Sequence, residues 1–136
     1  MRLGAIYTGL LEVISRHHPH EVAIETAFYG KNAQSALKLG QARGVSILAA
    51  VLQDLPLAEY APREIKKAVT GNGNASKDQV QYMVRAMLQP RPASMKLDTS
   101  DAIAAAICHL SRRPAAARRH TDWKAYVEAH PERVRR

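Results

Sequence analysis

The chain has 136 residues, 46% of them hydrophobic, with 20 Lys and Arg against 12 Asp and Glu, a formal charge of +8 and a pI near 10.0. That length suits one domain with its own core; the charge favours a polyanionic partner, nucleic acid or an anionic membrane face; and the lone Cys108 excludes a disulfide within the chain. The apolar runs near 45–52 and 102–108 are too short to span a membrane, and Leu10-Leu11 is soon followed by Glu12 and Arg16, unlike a signal peptide, so the cytoplasm is the expected compartment.

Residues 2–17 repeat apolar side chains at Leu3, Ile6, Tyr7, Leu10, Val13 and Ile14, offsets that make one helical face. His17-His18-Pro19 closes that helix, and 21–26 reads as a buried strand, apolar on both faces as a central strand would be. A long helix is predicted over 32–53. Gly40 and Gly44 inside it each cost about 1 kcal/mol relative to Ala; either they admit the close approach of another backbone or of DNA, or they are merely tolerated. A second short strand is predicted at 57–61, then a helix over 63–69 with Pro62 in its first turn, where a missing N–H does no harm. Thr70-Gly-Asn-Gly-Asn74 is turn chemistry. Ser76 with Gln79 forms a capping box that opens a helix to about Leu88. Residues 89–96 read as an exposed connection, and Asp98 or Thr99 caps a last helix to about Arg112. Residues 113–136 form a basic tail, either a short helix or solvated chain. Alternation of helix and strand through the first half predicts an α/β fold with parallel strands. Two strands make a poor sheet by themselves.

Charge burial is costly, so acids beside apolar segments need a reason. Glu25 ends the strand Val22-Ala23-Ile24-Glu25, and in open α/β sheets ligands bind at the carboxyl ends of strands. Asp98 and Asp101 lie three apart at a helix start, on neighbouring positions of one face. They serve either as dipole-compensating capping residues or, with Glu25, as oxygen ligands for Mg²⁺. A pair of such ions would activate water for phosphodiester hydrolysis. Lys66 and Lys77 either face the same end of the sheet, where each would neutralise a phosphate, or are ordinary surface lysines. Phe28, beside Tyr29 in the loop after Glu25, either stacks on an unpaired base or plugs the core. Cys108 reads as packing, and His109 as a surface group or a support behind the acids.

The stretch Lys31-Asn-Ala-Gln-Ser35-Ala-Leu-Lys-Leu-Gly40-Gln-Ala-Arg43-Gly44 resembles the RuvC Holliday-junction resolvases. So do Ala23-Ile24-Glu25, Lys66 in Ile-Lys-Lys, the Gly-Asn loop before Lys77, Gln79-Val-Gln-Tyr-Met83-Val and Asp98-Thr-Ser-Asp101-Ala, and the likeness runs from about Arg2 to His109. The resemblance implies a ribonuclease-H-like fold over 1–112 with 113–136 as an appended tail. It implies a homodimeric endodeoxyribonuclease that nicks opposed strands of a four-way DNA junction beside the RuvA–RuvB branch-migration machinery. Its cofactor would be Mg²⁺, two ions per site, with Mn²⁺ able to substitute. By motif position Glu25, Asp98 and Asp101 would bind metal, and Lys66 and Lys77 would take part in catalysis and DNA contact. Phe28, Lys31, Ser35 and Arg43 would also meet DNA. The family's opening strand, with Gly-Ile-Asp-Pro-Gly and its metal-binding Asp, and the two antiparallel strands after it have no counterpart ahead of Arg2. The expected fold is therefore an incomplete one of two parallel strands plus helices. The isolated chain is expected to be weakly folded, with little cleavage; a DNA-binding remnant and an RNA-directed enzyme are the other readings.

Overall fold

A computed structural model of the protein describes residues 2–26 and 32–112. Their order is α1 (Leu3–His17), β1 (Val22–Glu25), α2 (Ala33–Val51), β2 (Leu57–Tyr60), α3 (Pro62–Thr70), α4 (Lys77–Met87) and α5 (Leu97–Arg112). The alternation and every element expected from the sequence are present, with ends differing by a residue or two. The expected strand positions 21, 26 and 61 lie outside the ladder, although Thr26 still donates its backbone N–H to the Tyr60 carbonyl at 2.8 Å. The basic tail, and the loop with Phe28 and Lys31, lie outside the described residues.

β1 and β2 are parallel, in register Val22↔Leu57, Ala23↔Ala58, Ile24↔Glu59 and Glu25↔Tyr60. Parallel pairing requires a crossover, and α2 supplies it. Among the described residues β1 has β2 as its ladder partner and is half-buried rather than enclosed. Helices α1 and α2 pack on one another, and a channel lined by Leu10, Val13, Ile14, Val22, Ile24 and Ala49 runs between them and β1.

The main core lies on the other side, among α3, α4, α5 and the end of β2. Tyr60, Ile65, Val69, Ala75, Val80, Val84, Ala104, Ala105 and Cys108 are its buried members. Three local devices aim these helices. Pro62 occupies the first turn of α3, while the Glu64 carboxylate accepts the Ala61 N–H at 2.8 Å. Gly71, at φ +79, ends α3 in the left-handed conformation that glycine adopts at no steric cost. Two residues on, a side chain at Gly73 would meet Arg63 Cγ at 2.6 Å, so the loop sits tightly against α3. Ser76 then caps α4: its hydroxyl accepts the Gln79 backbone N–H at 3.2 Å, and the Gln79 side-chain oxygen Oε1 accepts the Ser76 N–H at 2.8 Å.

Gly40 and Gly44 are not explained by packing within the described residues, because nothing lies within 4 Å of a side chain added at either. Helix α5 starts at Leu97, one residue before the expected cap, which puts Asp98 inside its first turn. Ser100, fully buried, turns its hydroxyl onto the Leu97 carbonyl at 2.7 Å.

Because the capping box fixes where α4 begins, Ser76→Ala should lower stability by about 1 kcal/mol. The loss should appear as a lower urea midpoint with an unchanged slope, and Ser76→Asp should restore it.

Candidate active site

Strand β1, helix α3, the first turn of α4 and the second turn of α5 surround one small depression. Glu25, Lys66, Lys77 and Asp101 line it with Pro62, Ile65, Val80 and Ala104. It encloses about 90 Å³, room for a few waters at roughly 30 Å³ each. Each polar member arrives from a different element. Glu25 stands at the carboxyl end of β1, Lys66 midway along α3, Lys77 at the first position of α4, and Asp101 in the second turn of α5. The apolar floor is the edge of the core, since Ile65, Val80 and Ala104 belong to it.

The electrostatics follow from that floor. Burial raises the Glu25 carboxyl above its ordinary value of 4.5, and the Asp101 charge raises it further, while Lys77 and Lys66 pull it back. Lys77 Nζ lies 3.8 Å from Asp101 Oδ2. Two carboxylates are thus close enough to repel, with two ammonium groups offsetting the repulsion.

Four of the residues expected to carry chemistry are brought together: Glu25, Asp101, Lys66 and Lys77. Asp98 is exposed and does not line the depression. Among the described residues no three His, Cys, Asp or Glu side chains group as a metal cage. Ser35 is exposed near the start of α2, where its backbone N–H is capped by Asn32 Oδ1 at 3.2 Å. Arg43 is differently engaged, since its guanidinium donates to the Glu59 carboxylate of β2 and ties α2 to the sheet.

Sequence reading missed a second polar cluster behind the depression. His109 is half-buried rather than a surface group: Nδ1 meets the Tyr60 hydroxyl at 2.7 Å and Nε2 meets Glu21 Oε2 at 2.5 Å. Arg112 lies over the Tyr60 ring, 5.5 Å from its centroid, and donates to Glu64 at 2.7 Å. The available signal was the eight-residue spacing of Asp101 and His109, about two helical turns. Cys108 is fully buried and its thiol is pushed up by that burial, which fits a packing role.

Residues 1–109 match the family model described as "Crossover junction endodeoxyribonuclease RuvC". Curated relatives with that name include one from Salinibacter ruber, 47% identical over 134 residues, which spans 98% of this chain and 75% of the relative. One from Chloroherpeton thalassium is 49% identical over 141 residues, covering 98% and 76%. One from Oleidesulfovibrio alaskensis is 55% identical over 112 residues, covering 82% and 67%. The solved structure of Thermus thermophilus RuvC superposes with a TM-score of 0.71 at 36% identity, over 80% of this chain and 66% of that one. The same enzyme "in complex with Holliday junction substrate" gives 0.74 at the same identity and coverage. These neighbours carry the ribonuclease-H-like fold, and this chain shares it.

The Glu25 carboxyl titrates higher in the fold than its ordinary value of 4.5. The folded chain therefore holds that proton more tightly than the unfolded chain. Stability declines as pH rises through the interval between the two values, and the ionised carboxylate costs stability at neutral pH. Glu25→Gln should raise the melting temperature at neutral pH, and only slightly, because the side chain is largely exposed and solvent screens its charge. Scans at pH below 4.5 should show the gain vanishing.

Proposed function

The chain belongs to the RuvC family of crossover junction endodeoxyribonucleases, and from that premise we propose that it nicks four-way junction DNA at the depression between Glu25 and Asp101. The observation that carries this reading is the meeting of two carboxylates and two lysines from four separate elements at a strand's carboxyl end. The donor set suits a hard divalent cation: the oxygens are carboxylates, and burial together with the neighbouring Asp101 charge raises Glu25. Glu25 and Asp101 would hold Mg²⁺, or Mn²⁺ in its place. When bound, such an ion lowers the pKa of an attacking water and offsets charge on the leaving oxygen. A second ion would need carboxylates beyond the two that line the depression, with exposed Asp98 the nearest candidate in sequence.

The remaining groups divide the other tasks. Lys66, half-buried on α3, would face the non-bridging phosphate oxygens and offset the charge that grows as the phosphodiester is attacked. Lys77 is more exposed and already pairs loosely with Asp101; it would exchange that contact for a backbone phosphate as DNA arrives. Pro62, Ile65, Val80 and Ala104 keep bulk water off one side, which strengthens every interaction in the depression. Ser35 at the α2 start, with Phe28 and Lys31, would extend the DNA contact. The Arg43 guanidinium is engaged by Glu59, so its contribution would be to hold α2 rather than to reach DNA.

Homodimerisation fits two coordinated nicks. An open groove of about 490 Å³ on α2, lined by Ala33, Ala36, Leu37, Gly40 and Gln41, offers small side chains to a partner backbone. Cooperation with the RuvA–RuvB machinery belongs to the same reading. Binding without cleavage is the second reading, favoured by the lack of a three-acid group among the described residues.

With Mg²⁺ present, the chain should nick labelled four-way junctions in preference to duplex DNA or RNA. Glu25→Gln should abolish nicking while leaving junction binding intact, and Lys66→Met should slow it on the order of 10²-fold. Tight junction binding with no nicks from the unaltered chain would establish the second reading instead.

A further inference from the structure

Helix α5 carries Asp101 near one end and His109 near the other, and the far end is the one tied to the sheet. Helix α5 packs along β1, and among the described residues the side-chain hydrogen bonds that tie it toward the sheet are those of His109. The tie is made about 12 Å along the helix from Asp101, where His109 bridges Glu21 and Tyr60. Its Nε2–H donates to Glu21, just ahead of β1. Its Nδ1, in the neutral ring, accepts the Tyr60 hydroxyl proton from the end of β2. Tyr60 is the ladder partner of Glu25. Its ring is buried, and burial holds its hydroxyl above the ordinary phenol value, so it remains a proton donor. One imidazole therefore joins the helix bearing Asp101 to the end of β2 and to the residue that leads into β1.

The same cluster reaches a third element. Arg112, one turn beyond His109, covers the Tyr60 ring and pairs with Glu64 of α3. Glu64 lies two residues before Lys66 and also receives the Ala61 N–H. None of these groups lines the depression. They are placed to act on it through rigid elements.

Resting on the reading of the depression as a cation site, we propose that His109 is a positioning residue. Its bridge between Tyr60 and Glu21 sets the gap between the Glu25 and Asp101 carboxylates, and through that gap the site's affinity for a divalent cation. Packing alone would not fix the gap closely. Near Asp101 helix α5 meets the core through Ser100, Ile103, Ala104 and Ala105, and it packs more extensively on α3 and α4 than on β1, so these contacts leave its distance from the strand to be set elsewhere. Carboxylate–Mg²⁺ contacts tolerate little change in that distance, because the ion demands near-ideal octahedral geometry at about 2.0–2.1 Å.

The test is a thermal-shift titration of the full chain with MgCl₂ alone, with no DNA, comparing His109→Phe, His109→Gln and Tyr60→Phe. His109→Phe keeps the bulk and removes both hydrogen bonds, and should raise the Mg²⁺ midpoint by about 10-fold, the low end of the cost of losing a group bonded to a metal ligand, because His109 touches neither carboxylate. His109→Gln, whose amide can still donate to Glu21, should recover most of that loss. Tyr60→Phe deletes a single hydroxyl and should shift the midpoint by about 3–10-fold; it decides the matter if His109→Phe fails to fold. Midpoints equal to the unaltered chain's in His109→Phe and Tyr60→Phe, or in whichever of those two folds, would overturn the positioning role, even where melting temperatures fall. A titration in which the unaltered chain itself ignores Mg²⁺, as Glu25→Gln should, would instead overturn the cation site on which the proposal stands.

Discussion

Two carboxylates meet over the apolar floor of a small depression that thins their hydration on one side while leaving Glu25 open to solvent on the other, and the arrangement around them answers that constraint. Glu25 is raised by burial and by Asp101, and Lys66 and Lys77 return part of the cost. Such a balance is held only by elements that cannot drift apart. Unlike charges at about 4 Å gain roughly 4 kcal/mol at an effective dielectric near 20, and far less in water. The low floor of Ile65, Val80 and Ala104 thus matters as much as the charges do. It is also the margin of the main core, so the packing of α3, α4 and α5 and the electrostatics of the depression are one problem.

That packing explains the division of the molecule. Helices α1 and α2 form a pair on one side of the short sheet, and α3 to α5 form the other side. The first pair contributes no side chain to the depression. Their task is to bring β1 and β2 into parallel register and, through the Arg43–Glu59 contact, to fix α2 against β2. The second group contributes three of the four charged members. Family likeness is spread over both halves, because residues 1–109 match as a unit. Positioning of a strand end and presentation of side chains toward it are both needed.

Much of this was legible in the sequence where the determinant was local. Ser76 and Gln79 announce the start of α4 and are found bonded as a capping box; Pro62 and Gly71 bracket α3 because one tolerates the first turn and the other the left-handed exit. Parallel pairing followed from alternation, since strands joined through a helix have few other options. Asp98 was harder. Its grouping with Asp101 rested on three-residue spacing and on motif position, and spacing sets neighbours on a face but not which one the surrounding elements enclose. A helix beginning at Leu97 turns Asp101 inward and leaves Asp98 exposed. Arg43 was illegible for the opposite reason: its partner Glu59 lies 16 residues away on a strand. The Glu21–His109–Tyr60 bridge joins groups 88 and 49 residues apart, beyond any periodicity or cap.

The charge of the chain as a whole and the charge of the depression differ, and the difference bears on how DNA would be handled. The chain carries +8, so an approaching polyanion is drawn in from a distance. The described members of the depression are two acids and two lysines, which sum to no formal charge. A phosphodiester that reaches it finds neither strong attraction nor repulsion, and the carboxylates discourage close approach. A divalent cation held by Glu25 and Asp101 would reverse that local balance and free Lys77 from its loose contact with Asp101. Long-range capture by the surface and short-range commitment at the depression would then depend on different residues. Salt should weaken the first steeply, because counterion release scales with the number of phosphates neutralised, while the second follows cation occupancy of a site partly shielded from solvent.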